Sequence, residues 1–146
     1  MIGIIVSGHG KFGSGIYSAV TTLTGYSDNF VVVDYDTEND SLETLEQKFL
    51  DAKASLSNCS DIIVLCDILG GTPFKVAVTT FISDINIKIL YGTNVGMAMK
   101  LCMNCMSLDD TYSPEEITEQ LVTEGTKHIG KYEFVAPVEE EVVDGI

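Results

Sequence analysis

Short apolar runs alternate along this chain with longer stretches in which apolar and polar residues are mixed. Continuous apolar runs are typical of strands covered on both faces of a sheet. Four such runs occur, at residues 2–6, 30–35, 61–67 and 87–91. We predict a strand for each of them, and we expect the glycine-rich segments that follow three of them to be turns.

The mixed stretches are predicted to form five helices, because their apolar residues recur at spacings of three and four. The apolar face of the first helix is Ile16, Ala19, Val20 and Leu23, and that of the second is Leu42, Leu45, Phe49, Ala52 and Leu56. The other three are predicted over residues 72–82 and 95–103 and from Ser113 onward.

Three of these helices have recognisable starting signals. Asp40, with Glu43 three residues later, resembles a capping box. Thr72 is a favoured N-cap residue, and Pro73 suits the first helical position. Ser113 opens a Ser-Pro-Glu-Glu run, which is a strong helix start.

Strands that alternate with helices predict an α/β fold: an open parallel sheet of about four strands with helices on both faces and right-handed crossovers. Residues 132–138 form either an extra C-terminal edge strand or an extended tail. From about residue 139 the chain is acidic and is expected to be flexible. A length of 146 residues suits one domain, so we assign residues 1–146 to a single unit.

The net charge and the length of the apolar runs limit the classes of function that fit this chain. The formal net charge of −14 opposes binding to a nucleic acid, whose phosphates require Lys and Arg. The same charge suits a partner with a basic docking surface or serves only solubility, and both interpretations stay open. The apolar runs are all shorter than the roughly 18 residues that a membrane span requires, and the N-terminus lacks the basic region of a signal peptide. We therefore expect a cytoplasmic protein.

Four cysteines are present, and disulfides are not expected in a cytosolic chain of this size. Cys102 and Cys105 form a CxxC motif, but they lie within a predicted helix and no second pair completes a zinc set. We therefore predict no metal site and no cofactor.

The candidate chemistry lies where the first and third strands end. His9 follows the first strand and Asp67 ends the third, and the carboxyl ends of parallel strands meet at one edge of the sheet. If the two strands are neighbours, the carboxylate accepts the proton of one ring nitrogen and leaves the other nitrogen as a nucleophile. Helix N-termini at the glycine turns would bind an anion there, with Gly10, Gly71 and Thr72 as the candidate phosphate-binding residues.

Simpler explanations exist for each residue alone, since His9 would be tolerated in a turn and Asp67 would cap its own turn. The second histidine, His128, lies near the end of the last helix, where the helix dipole favours a cation, and we interpret it as structural.

Two other functions are compatible with the pattern. Gly8, Gly10 and Gly13 match a dinucleotide-binding fingerprint, with Asp34 about twenty residues further on. Against this alternative, His9 would crowd the pyrophosphate turn, and the chain is short for a dehydrogenase with a second substrate. A third possibility is an acidic interaction domain without catalysis.

Three segments resemble the enzyme IIA component of the mannose family (mannose/fructose/sorbose type) of the bacterial sugar phosphotransferase system. They are the opening Ile-Ile-Val-Ser-Gly-His-Gly, the run 64–74 (VLCDILGGTPF) and the run from Gly92 to Met99. The resemblance covers residues 1–103, and the pairing of these motifs is fairly specific.

This resemblance implies a single, free-standing EIIA type-4 (mannose-family) domain that acts as a phosphohistidine carrier. His9 would accept a phosphoryl group on Nε2 from the histidine-containing phosphocarrier protein and pass it to a IIB component, so that the membrane IIC/IID permease is served indirectly. Asp67 would orient the histidine, and Thr72 stands where the family often has Ser. Family members are homodimers with an exchanged edge strand. A related branch, the phosphocarrier subunit of dihydroxyacetone kinase systems, stays open.

Overall fold

Strands and helices alternate along the chain as the hydrophobic pattern predicts. The computed structural model describes residues 1–107 and 111–137. Its strands are β1 (Ile2–His9), β2 (Phe30–Tyr35), β3 (Asp61–Cys66) and β4 (Ile87–Leu90). The helices of this described part are α1 (Phe12–Thr24), α2 (Leu42–Ser55), α3 (Thr72–Thr80), α4 (Val95–Ser107) and α5 (Pro114–Lys127).

The four strands form one parallel sheet in the order β2-β1-β3-β4. β1 therefore lies between β2 and β3, with Ile4 opposite Phe30 on one side and Ile63 on the other. The predicted α/β fold and the predicted neighbourhood of the first and third strands are confirmed. All four strands end at the same edge of the sheet, which brings their following turns together.

Each face of the sheet is covered by its own apolar layer. Successive side chains of a strand point to opposite faces, so β1 contributes to both layers. Ile4 and Val6 pack with residues of α1, α4 and α5, whereas Ile5 packs with residues of α2 and α3. These three side chains are essentially inaccessible to solvent, and burial of such side chains stabilises the fold.

Two leucines of the predicted apolar faces are exposed. Leu23 is 44% exposed and Leu42 is 59% exposed, whereas Leu45 and Val20 on the same two faces are fully buried. Both leucines lie at helix ends, in the last turn of α1 and at the start of α2. Helical spacing shows which side of a helix is apolar, but it does not show which residues of that side lie beyond the core.

The second helix does not begin with the predicted cap. Ser41 is the N-cap residue, and its Oγ accepts a hydrogen bond of 3.1 Å from the Thr44 amide. Asp40 precedes the N-cap residue, and its carboxylate accepts hydrogen bonds from the Asp36 amide at 2.9 Å and from Lys48 Nζ at 2.7 Å. The prediction of Asp40 as the cap is wrong because the preceding turn already uses its carboxylate.

The third helix is capped by glycine rather than threonine. Gly71 occupies the N-cap position with extended backbone (φ −71°, ψ 163°), and Thr72 is the first helical residue. The prediction of Thr72 as the cap is therefore wrong by one position. The capping box of α5 is confirmed, because Ser113 Oγ accepts from the Glu116 amide while the Glu116 side chain accepts from the Ser113 amide.

The segment after α5 has no regular secondary structure over residues 131–137, so the described part of this segment forms no edge strand within the chain. Val138 and the acidic stretch beyond it lie outside the described residues. The described helices include none that is both long enough and apolar enough to cross a membrane. All four cysteines are free thiols, and Cys102 and Cys105 lie inside α4 as expected.

Candidate active site

A histidine–aspartate pair lies at the edge where β1 and β3 end. Ser7 and Cys66 form the last paired positions of the two strands, so Asp67 follows next to Gly8, one residue before His9. His9 Nδ1 lies 2.7 Å from Asp67 Oδ2, and the His9 backbone amide donates to the same oxygen at 2.8 Å. The Ile68 amide donates to the other oxygen, Oδ1, at 2.8 Å. The juxtaposition that the sequence predicts is present, although His9 ends the strand rather than lying in the following loop.

The protonation of this pair follows from the environment of the carboxylate. Partial burial acts to raise the pKa of Asp67, but the hydrogen bonds from the His9 amide, the His9 ring and the Ile68 amide outweigh it and lower the pKa below its ordinary value. An ionised carboxylate only accepts hydrogen bonds, so Nδ1 of His9 is the donor. In the neutral ring, Nε2 then carries the lone pair.

Two neighbours restrict the position of the His9 ring. A Cβ atom added at Gly71 would lie 2.7 Å from His9 Cε1, so the absence of a side chain at Gly71 lets the ring approach the start of α3. On another side, the Tyr35 ring meets the His9 ring edge-on with centroids 5.9 Å apart. Nε2 has no hydrogen-bond partner within residues 1–107 and 111–137, and the His9 side chain is 42% exposed. The His9 side chain is therefore accessible from solvent, and its Nε2 is free of hydrogen bonds to the described residues.

The start of α3 is the helix N-terminus beside the ring. The first amides of a helix have no partner within the helix, and the helix dipole adds positive potential there. The Thr72 hydroxyl, in the same turn, makes no hydrogen bond to the described part of the chain. Gly71 and Thr72 thus form the start of α3 beside the His9 ring, and their binding of a phosphoryl group stays a prediction.

The N-terminus of α1 does not offer the second anion site that the sequence suggests. The Asp34 carboxylate accepts from the Ser14 amide at 3.0 Å and also from the Ser14 hydroxyl, so a carboxylate of the chain itself occupies this position. The Gly10 amide donates to the Tyr35 carbonyl oxygen at 2.7 Å and is already satisfied. Phosphate binding by Gly10 stays a prediction, and the hydrogen bond of its amide to Tyr35 would compete with a phosphate.

Two of the three glycines of the dinucleotide-like fingerprint have packing roles, and the third, Gly10, has a positive φ of 59° that favours glycine. A Cβ atom at Gly8 would lie 2.5 Å from Phe12 Cδ1, and one at Gly13 would lie 2.9 Å from the Val6 carbonyl oxygen. These two glycines allow α1 to lie close to β1. Asp34, the fourth residue of the fingerprint, caps α1 as described above. The fingerprint is therefore explained without a nucleotide.

His128 contacts neither His9 nor Asp67 in the described part of the chain. It is the C-cap residue of α5, its Nε2 lies 3.2 Å from Glu124 Oε1, and its ring covers Gly96 at the start of α4. These contacts agree with the structural role predicted for it.

Comparison with known proteins identifies the class to which this arrangement belongs. A family model described as "PTS system fructose IIA component" (EIIA-man) matches residues 3–118. The chain belongs to this family. Membership supports a phosphocarrier role in a sugar phosphotransferase system and a phosphotransferase in the general sense. It implies interaction with a phosphocarrier protein and a IIB component, and it does not favour the dinucleotide-binding alternative.

Individual relatives agree with this assignment. The IIA chain is 26% identical over 101 residues to the fructose-specific EIIA component of Bacillus subtilis, covering 69% of this chain and 68% of that protein. It is 24% identical over 128 residues to the mannose-specific EIIAB component of Escherichia coli K12, covering 88% of this chain. The chain spans only 38% of that second relative's length.

Solved structures share the fold. An EIIA component from Streptococcus agalactiae superposes with a TM-score of 0.78 at 25% identity, covering 90% of this IIA chain and 97% of that one. A mannose/sorbose-specific IIA subunit from Enterococcus faecalis gives a TM-score of 0.79 at 18% identity, covering 93% of this chain and 98% of that one. The second likeness concerns the fold alone.

The contact between Gly71 and the ring leads to a prediction. Gly71→Ala is expected to lower phosphorylation of this IIA protein about 100-fold, because the new methyl group would meet His9 Cε1 and displace the ring by roughly 1 Å. The φ of −71° at Gly71 suits alanine, so the backbone itself is not strained. The initial rate of phosphorylation measures this effect.

Gly15→Ala is the matched control, because a Cβ atom at Gly15 of α1 meets open space. It should leave phosphorylation unchanged and stabilise the protein by up to about 1 kcal/mol, because alanine favours helix. Equal rates for the two variants would show that Gly71 does not hold the ring.

Proposed function

We propose that His9 accepts a phosphoryl group on Nε2 from the histidine-containing phosphocarrier protein and passes it to a IIB component. The observation that carries this proposal is the hydrogen bond of 2.7 Å between His9 Nδ1 and Asp67 Oδ2, which leaves Nε2 unprotonated and exposed at the edge of the sheet. Family membership supplies the class of reaction, and this pair supplies the nucleophile.

The proposed transfer balances without a further reactant. The Nε2 lone pair attacks phosphorus, a new P–N bond forms, and the P–N bond to the carrier's histidine breaks with its electron pair returning to that ring. The proton on Nδ1 stays in its hydrogen bond with Asp67, whose negative charge stabilises the positive ring formed on attack. Transfer to IIB reverses these changes and restores the Nε2 lone pair.

Charge on the phosphoryl oxygens would be stabilised by the start of α3. Phosphoryl transfer depends mainly on positioning and electrostatic stabilisation. We assign these functions to the first-turn amides after Gly71 and to the Thr72 hydroxyl, since Gly71 adjoins the ring, Thr72 follows it directly, and the hydroxyl makes no hydrogen bond to the described residues. No metal ion is part of this proposal.

The physiological setting is proposed from family membership. We assign residues 1–146 to one IIA domain of the mannose type, place it in the cytoplasm, and infer that it serves a IIC/IID permease indirectly through IIB.

We also propose a homodimer. β4 is a short edge strand of four half-buried residues, and the segment 131–137, which follows α5, exposes Tyr132, Phe134 and Val135. A segment of this kind suits pairing with the edge strand of a second copy, and sedimentation equilibrium distinguishes a dimer from a monomer.

Exposed apolar side chains in the turns that follow β3 and β4 form a candidate docking rim, defined here as Ile68, Leu69 and Tyr91. They are 57%, 59% and 51% exposed. Ile68 Cγ2 lies 3.5 Å from the position that a Cβ atom at Gly71 would occupy, next to the His9 ring. Exposed apolar groups that surround a reactive centre are suited to contact with a protein partner. We assign the rim to docking of the phosphocarrier protein.

Leu69→Glu is expected to raise the KM for the phosphorylated carrier about tenfold and to leave kcat within about twofold, because it buries a charge at the interface without touching the ring. Ile82→Glu is the matched control, since Ile82 is 79% exposed and follows the far end of α3. If the KM values of both variants equal that of the wild type, the rim is not the docking surface.

The proposed function is tested by incubating the protein with the phosphorylated carrier and measuring intact mass. We expect one added phosphoryl group per chain, lost in acid and retained in base as is typical of a P–N bond. An unchanged mass, with the carrier shown to be active towards another acceptor, would overturn the proposal.

A further inference from the structure

The turn between β4 and α4 is hydrogen-bonded to the end of β3. The ladder between β3 and β4 ends at the pair Leu65 and Leu90. Beyond it, the turn of residues 91–94 continues to donate hydrogen bonds to β3 and its following residue. Thr93 Oγ1 donates to the Cys66 carbonyl oxygen at 2.7 Å, and the Thr93 amide donates to the same oxygen at 3.2 Å. The Gly92 amide donates to the Asp67 carbonyl oxygen at 2.8 Å.

These hydrogen bonds fix the two peptide groups on either side of Asp67. The Cys66 carbonyl belongs to the peptide that leads into Asp67, and the Asp67 carbonyl belongs to the peptide that leaves it. Two fixed peptide planes determine the direction of the Cα–Cβ bond between them, because the backbone has only two soft dihedral angles per residue. The direction in which the Asp67 carboxylate points is thereby set from the turn.

The Thr93 hydroxyl can orient the Cys66–Asp67 peptide, but it cannot take part in docking or in phosphoryl transfer directly. Thr93 is only 7% exposed, so its hydroxyl cannot contact a docking protein or a phosphoryl group at the surface. Its bond to Cys66 is also shorter than the bond made by its own amide. Removing the hydroxyl leaves the Cys66 carbonyl with the longer bond alone.

We propose that Thr93 is a positioning residue for phosphoryl transfer, acting through the Cys66–Asp67 peptide to hold the Asp67 carboxylate against His9 Nδ1. This inference rests on the proposed function of His9. Without the Thr93 hydroxyl, the peptide tilts and the hydrogen bond between Nδ1 and Oδ2 lengthens. The ring then populates the tautomer with the proton on Nε2, in which Nε2 has no lone pair for attack.

Thr93→Val tests this inference, because valine keeps the shape of threonine and removes only the hydroxyl. We expect kcat for phosphorylation to fall about tenfold with an unchanged KM for the carrier, since a small misplacement of a reacting group lowers the rate without altering docking. The ¹⁵N chemical shifts of the His9 ring should show a smaller fraction protonated at Nδ1. Thr93→Ser keeps the hydroxyl, so its kcat and its fraction of His9 rings protonated at Nδ1 should lie close to those of the wild type.

Thr126→Val is the matched control. Thr126 Oγ1 also donates to a backbone carbonyl oxygen, that of Val122, at 2.7 Å, but it lies on α5. This variant should match the wild type in kcat and in the ring shifts. If Thr93→Val does not fold, Thr93→Ala replaces it, with the same expected shifts and the same rescue by Thr93→Ser.

Three outcomes would overturn the inference: unchanged tautomer fractions in Thr93→Val, equal losses in Thr93→Val and Thr93→Ser, or an effect of the same size in Thr126→Val. The tautomer measurement uses the unphosphorylated protein. A wild type that accepts no phosphoryl group would therefore refute the proposed function separately, while the ring shifts still decide whether Thr93 positions Asp67.

Discussion

His9→Gln is expected to abolish phosphorylation by the phosphocarrier protein, to below about one thousandth of the wild-type rate. The glutamine amide nitrogen has no basic lone pair and cannot replace Nε2 as a nucleophile. The His9 side chain is 42% exposed, so the free energy of unfolding should change by no more than about 1 kcal/mol. Intact mass after incubation with the phosphorylated carrier measures the loss directly.

His128→Gln is the control for this experiment, since His128 is the other histidine of the sequence, is the C-cap residue of α5 and makes no hydrogen bond to Asp67. It should be phosphorylated like the wild type. Full labelling of His9→Gln would show that another residue carries the phosphoryl group, and the account of the site would then be wrong.

Asp67→Asn is expected to lower kcat for phosphorylation about 100-fold, within the range that a positioned proton-binding group contributes. Both carboxylate oxygens accept hydrogen bonds from N–H donors, namely the amides of His9 and Ile68 and the His9 ring. An asparagine places its own N–H group against one of these donors and brings no negative charge. Quenched-flow measurements at saturating carrier concentration give kcat.

Asp61→Asn is the matched control, because Asp61 begins the same strand at its opposite end. It should transfer at the wild-type rate. Equal rates for Asp61→Asn and Asp67→Asn would remove Asp67 from the mechanism.

The lowered pKa of Asp67 also fixes the sign of a stability effect. Because the carboxylate is stabilised by folding, its contribution to the free energy of unfolding is fully present above its ordinary pKa of 3.8. That contribution is lost as the pH falls through the lower pKa of the folded protein. The difference in unfolding free energy between wild type and Asp67→Asn should therefore decrease as the pH falls below 3.8.

The main features of the site follow from the sequence for a simple physical reason. Parallel strands end at one edge of the sheet, so the positions of His9 and Asp67 after two apolar runs predict that both lie at this edge and that they meet if the two strands are neighbours. The apolar runs themselves are unambiguous, because they alternate with stretches of helical spacing. The strand order β2-β1-β3-β4 then makes β1 and β3 neighbours.

Other features depend on contacts that the local pattern does not contain. Asp34 matches a ribose-binding position in spacing, but in three dimensions it lies within hydrogen-bonding distance of Ser14 and caps α1. Asp40 and Ser41 are both good caps, and the contacts of the Asp40 carboxylate with the Asp36 amide and with Lys48 decide between them. The closeness of Gly71 to the His9 ring is also a tertiary contact, and the Gly-Gly pair before Thr72 is its only trace in the sequence.

The most direct test of the central claim is to identify the phosphorylated atom. Protein labelled with ¹⁵N in its histidine rings and phosphorylated by the carrier can be analysed through ³¹P–¹⁵N coupling at alkaline pH. We expect a single phosphorus bonded to Nε2 of His9, with Nδ1 still protonated and facing Asp67. Phosphorus on Nδ1, or on a residue other than His9, would contradict the account.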